Sequence, residues 1–222
     1  MFGIAQLERS PVVAALLVVV ALAYLAQQAG PSGAFVTEAG LLWGPAVAEG
    51  QWWRLASWGF LHANLLHVGF NGFLLFALGP QLERAFGSVR FALIYLGSLF
   101  AGALAVIAFD WSQPTLGASG AVLGTAAALA LALWLRGADL RQTPTFGLVV
   151  VNLALPLVLP GISFWGHAGG AVGGAAMAWL LVTGARRSPA LVRASAQSLA
   201  FGTGAVVGLA ALALLAGQAL RG

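Results

Sequence analysis

Seven apolar stretches dominate the chain, near residues 11–29, 58–79, 88–109, 116–135, 145–161, 163–184 and 197–219. Each is close to the roughly 20 residues a helix needs to cross a ~30 Å hydrocarbon layer. A bilayer offers no partner to backbone N–H and C=O groups, so a chain like this folds as an all-α, polytopic transmembrane bundle. Composition agrees. Of 222 residues, 60% are hydrophobic and 7% charged, against about 25% charged in soluble domains. So few charges could not coat a soluble surface, and the mean hydropathy of +0.94 calls for lipid. The absence of Cys excludes disulfides and thiolate metal sites.

All ten basic residues are Arg. The isoelectric point near 11.1 does not signal nucleic acid, because the Arg residues sit in gaps between apolar runs, where they set topology. With the N-terminus inside, Arg9, Arg84, Arg90, Arg136, Arg141, Arg186, Arg187 and Arg193 face the cytoplasm, leaving Arg54 and Arg221 outside. That bias predicts an N-in, C-out arrangement, with Glu38, Glu49 and Asp110 on the outer side. Glu8 and Arg9 flank the first stretch with mixed charge, unlike a cleaved signal peptide. Pro156 and Pro160 interrupt the fifth stretch. The long 30–57 gap carries Trp43, Trp52 and Trp53, with Trp58 at the start of the next stretch. Such rings favour the membrane–water interface, so this loop is expected to lie partly in the outer leaflet. Residues 1–222 read as one membrane domain, with a core over about 11–184 and an extra helix over about 197–219. The Ala-, Gly- and Arg-rich, Lys-free composition points to a GC-rich bacterium and hence an inner membrane.

Polar residues within such segments are costly and mark candidate sites. Three clusters stand out: His62, His67 and Asn71; Gly117-Ala118-Ser119-Gly120; and Gly166-His167 with the glycines that follow. They open the second, fourth and sixth stretches, which all run from outside to inside, so they share a depth. From Ser119 to Leu135 is 16 steps, about 24 Å at ~1.5 Å per residue. Ser119 is therefore expected about a quarter of the way into a ~30 Å core. Gly166, Gly170 and Gly174 recur every four residues, as do Gly120 and Gly124. This spacing lets two membrane helices approach backbone to backbone, as a Ser–His contact between them requires. Packing without chemistry remains the alternative for the glycines, and a polar clamp between helices the alternative for His67 and Asn71.

Together these residues resemble the signature of the rhomboid family of intramembrane serine proteases. The resemblance rests on Gly-x-Ser-Gly at Gly117–Gly120, His62, His67 and Asn71 in order, the Gly-rich helix led by His167, the Trp53-Arg54 pair, and Glu83. It covers roughly residues 50–175 and implies a six-helix core, to which the last stretch adds a seventh helix. It further implies Ser119 as nucleophile and His167 as general base. The Ser119 backbone N–H, His67 and Asn71 would form the oxyanion hole. His62, Trp53, Arg54 and Glu83 would be structural, and no metal or cofactor is implied. Expected substrates are transmembrane proteins cut near the outer side of their spans, at small residues in helices that unwind easily. The sequence departs from the family at Leu123, where an aromatic ring often stacks on the catalytic His.

Three other readings compete. A catalytically inactive relative that binds membrane clients usually lacks the Ser or the His; both are present here. A carrier would place ionisable groups through the midplane, whereas here the polar groups cluster on one side. A metal site from His62, His67 and His167 lacks both a carboxylate and the His-Glu-x-x-His pattern. Oligomeric state is not legible.

Overall fold

The structure is a computed structural model that describes residues 5–186 and 191–219; Arg187 and Arg221, which entered the charge count, lie outside them. Its helices are α1 (Ala5–Glu8), α2 (Pro11–Gln27), α3 (Pro31–Gly40), α4 (Gly44–Ala48), α5 (Arg54–Ser57), α6 (Leu65–Phe86), α7 (Ser88–Phe109), α8 (Ser119–Trp134), α9 (Pro144–Val158), α10 (Phe164–Arg186) and α11 (Leu191–Ala219). Seven of these, α2 and α6 to α11, correspond to the seven apolar stretches. Large apolar side chains such as Leu22, Phe73, Val151 and Leu212 are exposed on the outside of the bundle. A water-facing surface would not tolerate such a belt. The chain is an all-α, multi-pass integral membrane protein.

The second stretch departs from expectation. Residues 58–64 are not part of its helix, which starts at Leu65 and runs on to Phe86. The reason is local: the Asn64 side chain accepts from the His67 N–H at 2.9 Å and caps the helix there. His62 therefore lies in the connection before the span. The 30–57 gap is not irregular either, because α3, α4 and α5 occupy most of it. Trp52 and Trp53 are exposed as expected, but Trp58 is 1% exposed. It belongs to the core, not to the interface. Its ring faces the α-carbons of Gly102, Gly120 and Gly166, where three helices leave a slot with no side chains of their own.

α10 is wedged between α7 and α8. A Cβ on Gly170 would strike the Gly120 carbonyl, and one on Gly174 would strike the Gly124 carbonyl. The same helix has a second bare stripe: Gly169 and Gly173 face Ala101, Gly102 and Gly97 of α7. The doubled glycines of this segment thus serve two neighbours at once. With lipid tails as apolar as leucine, close backbone packing is what holds such helices together. α11 covers the outside of α7 and α10. Its Gly217 sits against Val47, so the end of α11 lies on the same side as α4.

α8 has 16 residues, about 24 Å of helix, too short for a ~30 Å core. Ser119 is its first residue. At the opposite end, the buried Glu83 carboxylate accepts from the Val12 and Val13 N–H groups at 3.1 and 2.9 Å and from Ser88 at 2.7 Å. It caps α2, whose own Ser10 makes no side-chain cap. A carboxylate at a helix N-terminus satisfies free N–H groups and the helix dipole together.

Gly170→Ala is expected to destabilise the purified protein by about 1–3 kcal/mol through overpacking and to lower its melting temperature in detergent. Gly147→Ala in α9, where a Cβ would meet nothing within 4 Å, serves as the control and is expected to leave it unchanged or slightly higher.

Candidate active site

Ser119 is the first residue of α8, with Ala118 as its cap. Its N–H therefore belongs to the turn that has no intrahelical acceptor. The chain reaches it through Gly117, whose φ of +135° is a conformation side chains rarely adopt. A Cβ on Gly117 would also come within 2.8 and 2.9 Å of Cε1 and Nε2 of His67, and 3.5 Å from the Ser119 hydroxyl. The missing side chain at Gly117 thus lets the Ser119 hydroxyl and the His67 ring face one spot.

The segment before Ser119 is held from two directions. Gly117 N–H donates to the Trp58 carbonyl at 2.9 Å. Leu42 and Thr115 exchange backbone hydrogen bonds of 2.9 Å, an isolated bridge to the loop after α3. That loop is in turn fixed by Trp53 and Arg54. The Arg54 guanidinium donates to the Glu38 and Leu41 carbonyls at 2.7 and 2.6 Å and to the Gln51 side chain at 2.8 Å. Trp53 donates to the Ala39 carbonyl, and Ser57 to that of Gly40. These are the carbonyls at the C-terminus of α3, where a cation is favoured. The Trp-Arg pair is a helix cap that anchors the approach to Ser119.

His167 lies in the first turns of α10, behind an N-cap that the sequence reading missed: Ser163 accepts from the Gly166 N–H at 3.1 Å. The imidazole is 4% exposed. Its Nδ1 is 2.8 Å from the Asn152 carbonyl of α9. A carbonyl only accepts, so Nδ1 carries the proton and Nε2 has the free lone pair. Nε2 is buried and meets no partner among the described residues. The expected Ser119–His167 hydrogen bond is accordingly not formed here, although the backbones on either side touch, Gly120 against Gly166. Catalytic hydrogen bonds are often long before substrate binds.

Asn71 is 2% exposed and its Nδ2 is also without a partner. Asn71, Ser119, Leu123 and Asn152 line one cavity of about 10 Å³, room for roughly one water. Leu123 contributes an apolar wall where an aromatic ring had been the family expectation. Buried polar groups are nearly always paired. The orphaned Asn71 amide donor shares a cavity with the Ser119 hydroxyl and can serve a carbonyl oxygen, while the free His167 Nε2 can accept a proton. Gly120, Gly170 and Gly174 serve packing. His67 stands edge-on to His62, ring centres 5.0 Å apart.

His62 is held through its backbone. Gln27 clasps its backbone, accepting from its N–H at 2.9 Å and donating to its carbonyl at 3.1 Å. Its Nδ1 faces the Phe60 carbonyl at 3.3 Å. No group of three or more potential metal ligands occurs among the described residues.

Residues 49–184 match the family model of the rhomboid domain. The rhomboid protease GluP of Bacillus subtilis is 38% identical over 131 residues, covering 58% of this chain and 26% of that protein. The mitochondrial RHOMBOID-like protein 6 of Arabidopsis thaliana is 33% identical over 159 residues, 69% of this chain and 52% of that one. The rhomboid-type serine protease 2 of Emericella nidulans is 32% identical over 152 residues, 66% of this chain and 29% of that one. The chain spans from about a quarter to about half the length of these relatives.

Burial, then the neighbouring His67, push the His62 pKa down to about 4, against a weaker opposing effect of the Phe60 carbonyl. The unfolded imidazole, near 6.5, takes up a proton first, so stability from this residue is complete above about pH 6.5 and is lost as pH falls toward 4. Melting of the purified protein across that window is expected to show the loss, and His62→Gln to flatten it.

Proposed function

The chain belongs to the rhomboid family, and on that premise we propose that it is an intramembrane serine endopeptidase working through Ser119 and His167. The observation that carries this reading is the state of the His167 imidazole: buried, protonated at Nδ1 by its bond to a carbonyl, and unpartnered at Nε2. A general base needs that tautomer.

In the proposed reaction His167 Nε2 accepts the Ser119 hydroxyl proton as Oγ attacks the scissile carbonyl carbon. The carbonyl oxygen becomes an oxyanion, bound by the Ser119 N–H, the Asn71 amide and the His67 ring. Each such donor is worth about 2.7–4 kcal/mol in a soluble serine protease. The imidazolium then gives its proton to the leaving amine, and water deacylates the serine with Nε2 again as base. The substrates would be transmembrane proteins whose helices unwind locally, because carbonyls engaged in helical hydrogen bonds are shielded from attack. Cleavage near the outer side of the bilayer and a bacterial inner-membrane location, with the N-terminus inside, complete the proposal.

A second reading, a relative that binds membrane clients without cutting them, draws on the unformed Ser119–His167 hydrogen bond and on Leu123. Labelling of the purified protein with a fluorophosphonate separates the two. The protease reading expects labelling of wild type, none of Ser119→Ala, and a loss on the order of 10³-fold or more in His167→Ala. It also expects the rate to fall as acid protonates the base. No labelling of wild type, or equal labelling of Ser119→Ala, would overturn it.

A further inference from the structure

The residue that orients His167 is supplied by its backbone, not by its side chain, and that requires an explanation. In an α-helix the carbonyl of residue 152 accepts from the N–H of residue 156. Position 156 lies inside α9 and is proline, which has no N–H and whose ring crowds the carbonyl four residues earlier. The Asn152 carbonyl therefore lacks its helical donor, and within hydrocarbon an unmatched carbonyl needs another. The donor it meets is His167 Nδ1, at 2.8 Å. The Asn152 side chain is engaged elsewhere, donating to the Leu148 carbonyl at 2.8 Å. In the turn before His167, the Ser163 carbonyl accepts the His167 backbone N–H at 3.2 Å.

We propose that Pro156 is a positioning residue for the base: by withholding an N–H it reserves the Asn152 carbonyl for His167 Nδ1–H, which keeps the Nε2 lone pair free for the serine. The proposal depends on the protease reading for its consequence, but not for its geometry. An alanine at 156 would restore the competing donor and let the carbonyl swing back toward the helix axis. The imidazole would then lose part of its preference for the Nδ1–H tautomer.

The chain has only three His, so the ring nitrogens of ¹⁵N-histidine-labelled protein in detergent can be resolved, with His167→Gln giving the assignment. Wild type is expected to show His167 protonated at Nδ1 and bare at Nε2. Pro156→Ala is expected to shift the ring toward the other tautomer. It should also lower kcat on a transmembrane-peptide substrate about 10–100-fold, the range known for metal-bound histidines that lose their outer hydrogen-bond partner, with KM nearly unchanged. The α-hydroxy counterpart of alanine at position 156, which also lacks an N–H but has no ring, is expected to restore both. Pro160→Ala, at an exposed position beyond α9, should behave as wild type. An Nε2–H tautomer in wild type, or wild-type tautomer and kcat in Pro156→Ala, would overturn the proposal. So would an α-hydroxy variant as impaired as Pro156→Ala, since the ring and not the missing N–H would then be responsible. If Pro156→Ala does not fold, the wild-type tautomer and the α-hydroxy variant still decide. If no form cleaves substrate while the tautomers behave as expected, the protease reading fails and the positioning role stands.

Discussion

Everything in this molecule depends on how closely α8 and α10 approach. A serine and a histidine on separate membrane helices can share a proton only if their backbones nearly touch, because neither side chain is long. Gly120 and Gly124 on one helix and Gly166, Gly170 and Gly174 on the other remove every Cβ from that contact. In lipid, where burying apolar surface adds little, this close packing is itself the adhesive. The same stripe that stabilises the bundle therefore creates the geometry for chemistry.

Several buried polar groups elsewhere in the bundle find partners close by. Ser98 and Thr125, both fully buried, donate to carbonyls of their own helices at 2.7 and 3.0 Å. Glu83 closes the start of α2, and Arg54 closes the end of α3. Asn71 Nδ2 and His167 Nε2 are buried without a partner among the described residues, as are the Ser10 and Tyr95 hydroxyls and His62 Nε2. An unsatisfied buried group costs about 1–3 kcal/mol, and Asn71 lines the same cavity as Ser119. Strain is often kept where function uses it.

Much of this was legible in the sequence. The seven helices, the all-α class and the α8–α10 contact followed from hydropathy and glycine spacing. Other features were not. The start of α6 was placed near Trp58 because residues 58–64 are apolar enough to continue the span, and only the Asn64 cap ends the ambiguity. Trp58 was assigned to the interface, the usual place for an indole, since no one-dimensional pattern shows that three helices leave a slot for it. The orienting partner of His167 escaped notice because it is a backbone carbonyl. In the sequence Pro156 reads as an interruption, whereas its missing donor is the available signal. The second glycine stripe of α10 was visible in the paired glycines, but a stripe has meaning only once the second neighbour is known.

The central claim is that Ser119 and His167 occupy one site between α8 and α10. A chloroisocoumarin that acylates a serine and then alkylates a histidine within reach tests this directly. Mass spectrometry of the digested adduct is expected to find one reagent bridging the Ser119 and His167 peptides, and no adduct in Ser119→Ala. A wild-type adduct that bridges Ser119 to another residue, or that never links the two helices, would contradict the account.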